Sequence, residues 1–204
     1  GLEALREGKC ELAGFNFPKS STNNSKAFGT FGHLLTKNNG LIFFATRLQG
    51  LAVAPGNPKK IYSILDIASR KAKFINRREG TGTRILFDQM LDVLAVKPEE
   101  IEGYNDISDT QFFTAVQIAS GKVDVGLCTA NVAKENGLDF IPLAKEVYYL
   151  AADEKFLETA KAKKFIQFLR SYDWAEFKDQ LEGYDFTGTG EVFKVSDVFT
   201  ADAS

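Results

Sequence analysis

The chain of 204 residues is poor in the side chains that most enzymes depend on: one histidine, two cysteines, one methionine and one tryptophan. With His33 the single histidine, a Ser-His-Asp triad, a Cys-His pair or a multi-histidine metal centre would each have to be built around that one residue. Cys10 and Cys128 stand too far apart in sequence for the paired spacing of a zinc site, and two cysteines make no disulfide framework. No run of about 18 apolar residues exists, which leaves no candidate for a membrane-spanning helix. Strong net charge is missing too: 25 basic residues face 27 acidic ones, so the overall balance of -2 supplies no electrostatic footprint for nucleic acid.

What is present is an ordinary globular composition, 44% hydrophobic and 25% charged, at a length that suits one large domain or two smaller lobes. Charge is unevenly placed. Between Arg70 and Arg84, six basic residues face the single acid Glu79, a local balance of +5 that leaves -7 for the rest of the chain. A positive patch on an acidic protein suits a small anion, because it attracts such a ligand locally while the whole molecule repels polyanions.

Periodicity alternates between strand-length apolar runs and amphipathic helix-length stretches, the pattern of an α/β domain. Expected strands are 10–15, 73–76, 123–128 and 138–150, while 41–54 is a long apolar-polar stretch broken at the turn Pro55-Gly56-Asn57-Pro58. Expected helices are a short one ending at Gly8, then 61–68, 83–96, 109–120, 129–136, 154–170 and 173–181, with a tail from Gly183. Residues 18–39, rich in Ser, Asn, Lys and Gly, read as a loop with at most one short helix. Phe43-Phe44, Phe112-Phe113, Phe165 and Phe168 fall on faces expected to be core. The layout predicts two α/β lobes: residues 1–52 with 150–204, and residues 53–149, joined by crossings near Ala52–Pro55 and Tyr148–Ala152.

The segment richest in chemistry is Phe74-Ile75-Asn76-Arg77-Arg78-Glu79-Gly80-Thr81-Gly82-Thr83-Arg84, followed by apolar residues at helical spacing. A strand runs into a Gly-Thr-Gly-Thr turn that opens a helix. Helix starts expose backbone N–H groups at the positive end of the dipole, and glycines let that backbone approach a ligand closely. Thr81 and Thr83 add hydroxyls, and Arg77, Arg78 and Arg84 are near enough to supply charge-assisted bonds to an oxyanion. The plain alternative is a threonine cap on an ordinary helix with solvated arginines. Asn16, close to Pro18, is either a cleft-facing residue or a turn former. Cys128-Thr129 opens another helix after a strand, where Thr129 either caps the helix or faces a ligand. His33 reads as surface, Glu99-Glu100 as a solvated face, and the second Thr-Gly-Thr-Gly, at 187–190, as a turn.

These strings, with Gly1-Leu2-Glu3-Ala4-Leu5, Leu12-Ala13-Gly14-Phe15, Gln49-Gly50-Leu51, Pro55-Gly56-Asn57-Pro58-Lys59, Ala119-Ser120-Gly121, Asp124-Val125-Gly126, Leu138-Asp139-Phe140-Ile141-Pro142-Leu143 and Gly183-Tyr184-Asp185, run through nearly the whole chain. In that order they resemble the substrate-binding-like domain of the periplasmic binding protein superfamily, of the LysR-type substrate-binding-like kind found alone, with helix-turn-helix regulators or with molybdopterin-biosynthesis proteins. More distantly the chain is similar to tungstate- and molybdate-binding proteins. The resemblance implies an α/β, two-lobed type II fold, each lobe a mixed, mostly parallel sheet with flanking helices, closing on its ligand through two crossover strands. It also implies an earlier strand, Ser-containing loop and helix ahead of Gly1.

The resulting expectation is non-catalytic capture of a small anion, molybdate and tungstate among the candidates, by a solute-binding protein. Its binding residues would be Asn16, Arg77, Gly80, Thr81, Gly82, Thr83, Arg84, Cys128 and Thr129, with no metal and no cofactor beyond the ligand. Relatives often carry His at the position of Asn16. An ABC-type membrane permease is the partner implied, in the periplasm, with no direct nucleic-acid contact. The alternatives are a cytoplasmic ligand-sensing effector domain of a transcriptional regulator or cofactor-biosynthesis protein, or a receptor for an organic anion.

Overall fold

The computed structural model describes residues 1–19, 31–177 and 180–199. Its chain forms two compact units: residues 1–46, 146–177 and 184–204, and residues 47–145 with 178–183. Two 15-residue strands, β2 (Asn39–Val53) and β6 (Asp139–Asp153), carry the chain from one unit to the other.

In the first unit, α1 (Leu2–Arg6) precedes β1 (Leu12–Pro18), which pairs antiparallel with the second half of β6. Alternation along β1 sends Ala13, Phe15 and Phe17 inward, as a half-buried strand requires. They join Leu2, Leu5, Leu41, Tyr149, Val195 and Phe199 in one core, with the Phe17 ring 5.9 Å from Tyr149 and 5.0 Å from Phe199. The segment expected as a plain tail holds β7 (Tyr184–Asp185), β8 (Val192–Lys194) and α8 (Val195–Val198). Strand β8 pairs antiparallel with the start of β2.

The single helix expected over 154–170 is two, α6 (Glu154–Leu157) and α7 (Ala160–Ser171), because the Thr159 hydroxyl accepts from the Ala162 N–H and starts α7 afresh. Where a helix over 173–181 was expected, the described residues form a 3₁₀ turn at Trp174–Phe177, held by the Trp174 indole N–H on the Leu169 carbonyl at 2.8 Å. Much of the expected 18–39 loop, residues 20–30, lies outside the described residues.

The second unit carries the parallel pairings. The second half of β2, β5 (Val125–Thr129), β3 (Phe74–Arg77) and β4 (Ile107–Ser108) lie in that order, β2 antiparallel to β5 and the other three mutually parallel. Their helices are α2 (Ile64–Ser69), α3 (Gly82–Leu94), α4 (Gln111–Ala119) and α5 (Ala130–Glu135). Helix α3 presses Leu86, Phe87 and Leu91 onto the sheet, with Phe87 stacked on Phe74 at 4.4 Å. Strand β3 is buried along its whole length, including Arg77.

Three phenylalanines depart from expectation. Phe112, Phe113 and Phe168 are exposed, at 61%, 46% and 50% of their surface. Helix α4 turns Thr114, Ala115 and Ile118 inward, a 3.6-residue stripe that leaves its adjacent Phe112-Phe113 pair outside.

Candidate anion site at the strand ends of the second unit

Parallel strands β3, β4 and β5 all end at one edge of the second unit, and α3, α4 and α5 begin there. This is where ligands of parallel α/β sheets are held. Arg77 closes β3, Ser108 closes β4 and Thr129 closes β5.

Arg77 is only 9% exposed. Its Nη1 donates to the Ser108 carbonyl at 2.9 Å, while its Nε–H has no partner among the described residues. Burial pulls its pKa below the ordinary guanidinium value; the charge of Asp109 works against that shift, and the neighbouring Arg78 adds to it. A buried cation with a free donor can be completed by an anion. Its backbone is fixed as well: the Asn76 side chain accepts from the Arg77 N–H at 2.8 Å and donates to the Tyr104 carbonyl at 3.1 Å.

From Arg77 the chain turns through Arg78–Thr81. Gly80 takes φ of 77°, a left-handed conformation open to glycine at no steric cost. The Thr81 hydroxyl donates to the Arg78 carbonyl at 2.8 Å and accepts from the Arg84 N–H at 3.3 Å, the geometry of a helix cap. Gly82 and Thr83 then present first-turn N–H groups that have no partner among the described residues.

Thr83 is the centre of a side-chain network that sequence reasoning reached only in part. Its hydroxyl oxygen accepts from Gln49 Nε2 and from Gln111 Nε2, both at 3.2 Å. Gln111 Oε1 in turn accepts from the Thr129 N–H and the Thr129 hydroxyl, both at 3.0 Å. Thr129 thus stands at the cap position of α5 but spends its hydroxyl on Gln111. Gln49 Oε1 and Asn131 Oδ1, buried like Arg77, have no hydrogen-bond partner among the described residues.

The other predicted positions are placed differently. Arg84 shares its Nε–H between the two carboxylate oxygens of Asp88 (2.8 and 2.9 Å) and lies over the Tyr104 ring at 4.4 Å. Its Nη1 reaches back to the Arg77 carbonyl at 3.4 Å. Burial opposes its charge, but Asp88 and Tyr104 outweigh that and hold its pKa above the usual value. Arg78 forms an exposed ion pair with Asp109 at 2.5 Å. Cys128 is wholly buried among Ala52, Ile75 and Ile118, and burial pushes its thiol up to about 12. Asn16 lies on β1 in the first unit, half-buried, opposite Tyr148. His33 is exposed, its carbonyl accepting from Arg6, and Glu99 and Glu100 are exposed in a 3₁₀ turn.

A depression of about 790 Å³ on the same unit has Tyr62, Lys134, Asp139 and Glu182 in its lining. Its charges are mutually engaged, Lys134 with Glu182 at 2.9 Å and Asp139 with the Gly56 N–H at 2.9 Å. The open donors and acceptors are at the strand ends instead.

Comparison with known proteins decides the family. Residues 1–170 match the model of the PBP superfamily domain. The chain belongs to the PBP superfamily. Among curated proteins it is similar to the uncharacterized protein YvgK of Bacillus subtilis (strain 168), 33% identical over 188 residues. That match covers 92% of this chain and 60% of YvgK, so the chain spans about three fifths of that relative's length.

Solved structures share the fold at low identity. A Clostridium perfringens protein described as a phosphate ABC transporter substrate-binding protein, solved with bound phosphate, has a TM-score of 0.62 at 18% identity, covering 96% of this chain and 83% of its own. PhnD1 from Prochlorococcus marinus (MIT 9301), in complex with methylphosphonate, has a TM-score of 0.60 at 16% identity, covering 98% of this chain and 78% of its own. This PBP domain is accordingly of the two-lobed α/β class.

Proposed function

We propose that this PBP domain binds a small tetrahedral oxyanion at the strand ends of its second unit and leaves it chemically unchanged. The observation that carries the reading is the buried Arg77 with an unpartnered Nε–H, at the head of a glycine-flanked turn into α3. Arg77 Nε, the Gly82 and Thr83 N–H groups and the Thr83 hydroxyl supply donors of the kind an oxyanion accepts, in a segment that carries five surplus positive charges. The phosphate and methylphosphonate bound by the structural neighbours support the same ligand class. Molybdate and tungstate are tetrahedral oxyanions too and belong in the test, although the neighbours named here carry phosphorus ligands.

Arg84, on this reading, holds the Arg77 carbonyl and the first turn of α3, and Cys128 is core. The solute would pass to an ABC-type permease, on the outer side of the cytoplasmic membrane. The test is a thermal-shift panel of phosphate, methylphosphonate, sulfate, molybdate, tungstate and small carboxylates. An anion at a hundred times its Kd adds about 2.7 kcal/mol, a rise in Tm of about 5 to 10 °C for a chain of this size. One or more oxyanions should give that shift. A response confined to carboxylates, or none, would defeat the reading.

A further inference from the structure

The chain enters the second unit a second time at residues 178–183 and returns to the first at Tyr184. The place where this late segment docks is set by the end of a strand. Pairing of β2 with β5 stops at Gln49 opposite Thr129, because β5 ends there and α5 begins at Ala130. The next residue of β2 in that direction, Leu48, gives its N–H to the Gly183 carbonyl at 2.9 Å, so the late segment takes over where β5 leaves off.

Gly183 fits this place closely. Its φ of 82° is left-handed, and a Cβ added to it would lie 2.8 Å from the Ala130 Cβ and 3.2 Å from the Leu48 Cβ. Leu48 and Ala130 are the chain neighbours of Gln49 and Thr129, the two members of the Thr83 network that face each other across β2 and β5. The hold on the segment is nevertheless light. No side chain in residues 180–183 is fully buried, and the Lys134–Glu182 ion pair leaves 55% and 54% of its two side chains exposed. An exposed ion pair and an edge hydrogen bond add little beside the pairing that holds β2 to β5, which puts the segment among the parts of a protein that open without global unfolding.

We propose that residues 180–183 are a latch. They undock from the rest of the second unit and redock on it independently of its core, and when docked they fix the two corners, Leu48–Gln49 and Thr129–Ala130, that set Gln49 and Thr129 around Thr83. Where it concerns anion affinity, the proposal rests on the oxyanion reading. Latch docking and anion binding then strengthen each other by one and the same factor, because linkage between two equilibria is reciprocal. The exposed Lys134–Glu182 pair makes the docked state sensitive to salt.

The test is amide hydrogen exchange of the 204-residue chain, read at Leu48 and Thr129 with and without saturating phosphate, in the wild type, Glu182→Gln and Gly183→Ala. In the phosphate-free wild type, Leu48 should exchange at least about tenfold faster than the slowest amides of the β2–β5 pairing. Salt at about 1 M should speed Leu48 a further 1.5- to 5-fold or so, and Glu182→Gln should show that gain at low salt and lose the salt response. Gly183→Ala should speed Leu48, and with it the Thr129 N–H that Gln111 holds at 3.0 Å, by about tenfold or more. Saturating phosphate should slow Leu48 in the wild type about fivefold or more, and Gly183→Ala should raise the calorimetric Kd for phosphate by the same factor. Glu182→Gln, the milder change, keeps the test open if Gly183→Ala does not fold.

Leu48 as slow as the β2–β5 amides in the wild type, or indifferent to both substitutions, would overturn the latch. Phosphate that binds yet leaves Leu48 exchange unchanged would overturn its coupling to the site. If no oxyanion binds the wild type, the oxyanion reading fails, and the latch stands or falls on Leu48 and on whether Gly183→Ala loosens Thr129.

Discussion

Replacing Arg77 is the perturbation whose size follows most closely from the structure. The side chain is 91% buried by difference from its 9% exposure, carries one structural bond to the Ser108 carbonyl and keeps Nε–H open. Removing it takes a charge-assisted hydrogen bond from a bound anion, worth about 1.5 to 3 kcal/mol. At about 1.4 kcal/mol per decade, Arg77→Ala should raise Kd for the preferred oxyanion about 10- to 150-fold. Arg77→Lys keeps the charge but loses the planar fork, and should recover only part of the loss. The apo protein responds separately: Arg77→Ala leaves the buried Ser108 carbonyl unpaired while removing the cost of a buried charge. Calorimetric Kd values, beside the apo Tm of each variant, separate the two effects. Unchanged affinity in both variants, with folding intact, would refute the placement of the anion at the end of β3.

Other positions give independent tests. Thr83→Val should remove the shared acceptor of Gln49 and Gln111, costing about 1 to 3 kcal/mol of stability by chemical denaturation together with anion affinity; retention of both would show that the network is incidental. Arg84→Met should lower the apo Tm by breaking the Asp88 and Tyr104 contacts, yet leave the affinity of the folded fraction within about threefold, well short of the Arg77 effect; a loss as large as that of Arg77→Ala would make Arg84 a direct ligand. Iodoacetamide at pH 8 should label the native chain only at half-exposed Cys10 and label Cys128 once denatured, since burial keeps the Cys128 thiol protonated up to about 12; two labels on the native protein would contradict that burial. Gly50→Ala should destabilise by about 1 to 3 kcal/mol, because the added methyl would meet the Ile141 carbonyl, and a neutral result would put that contact in doubt.

The strand–turn–helix at 74–94 was legible because three local signals coincide there: a short apolar run, glycines at the turn, and apolar residues at helical spacing. Arg77 was legible with it, as the basic residue where the strand ends. Gln49 and Gln111 were not, since each meets Thr83 only after distant chain segments are paired, 34 and 28 residues away in sequence. No local pattern marks a glutamine on a strand as a buried polar group. The signal that could have found Gln49 is that it is a polar residue on a long strand, two positions before that strand's apolar Leu51–Val53 end. Phe112 and Phe113 misled in the opposite sense: hydrophobicity suggested core, but the inward stripe of α4 runs through Thr114, Ala115 and Ile118, and both phenylalanines fall outside it. The 3₁₀ turn at Trp174–Phe177 shows tertiary contacts overriding periodicity, the indole stacked on Phe186 at 4.9 Å and edge-on to Phe44 at 5.4 Å.

The most direct measurement is a crystal structure of the chain grown with phosphate. The account predicts a phosphate at the start of α3, within hydrogen-bond distance of Arg77 Nε and the Thr83 hydroxyl. A phosphate seated on the exposed Arg78–Asp109 pair alone, or in the depression around Lys134 and Tyr62, would contradict it.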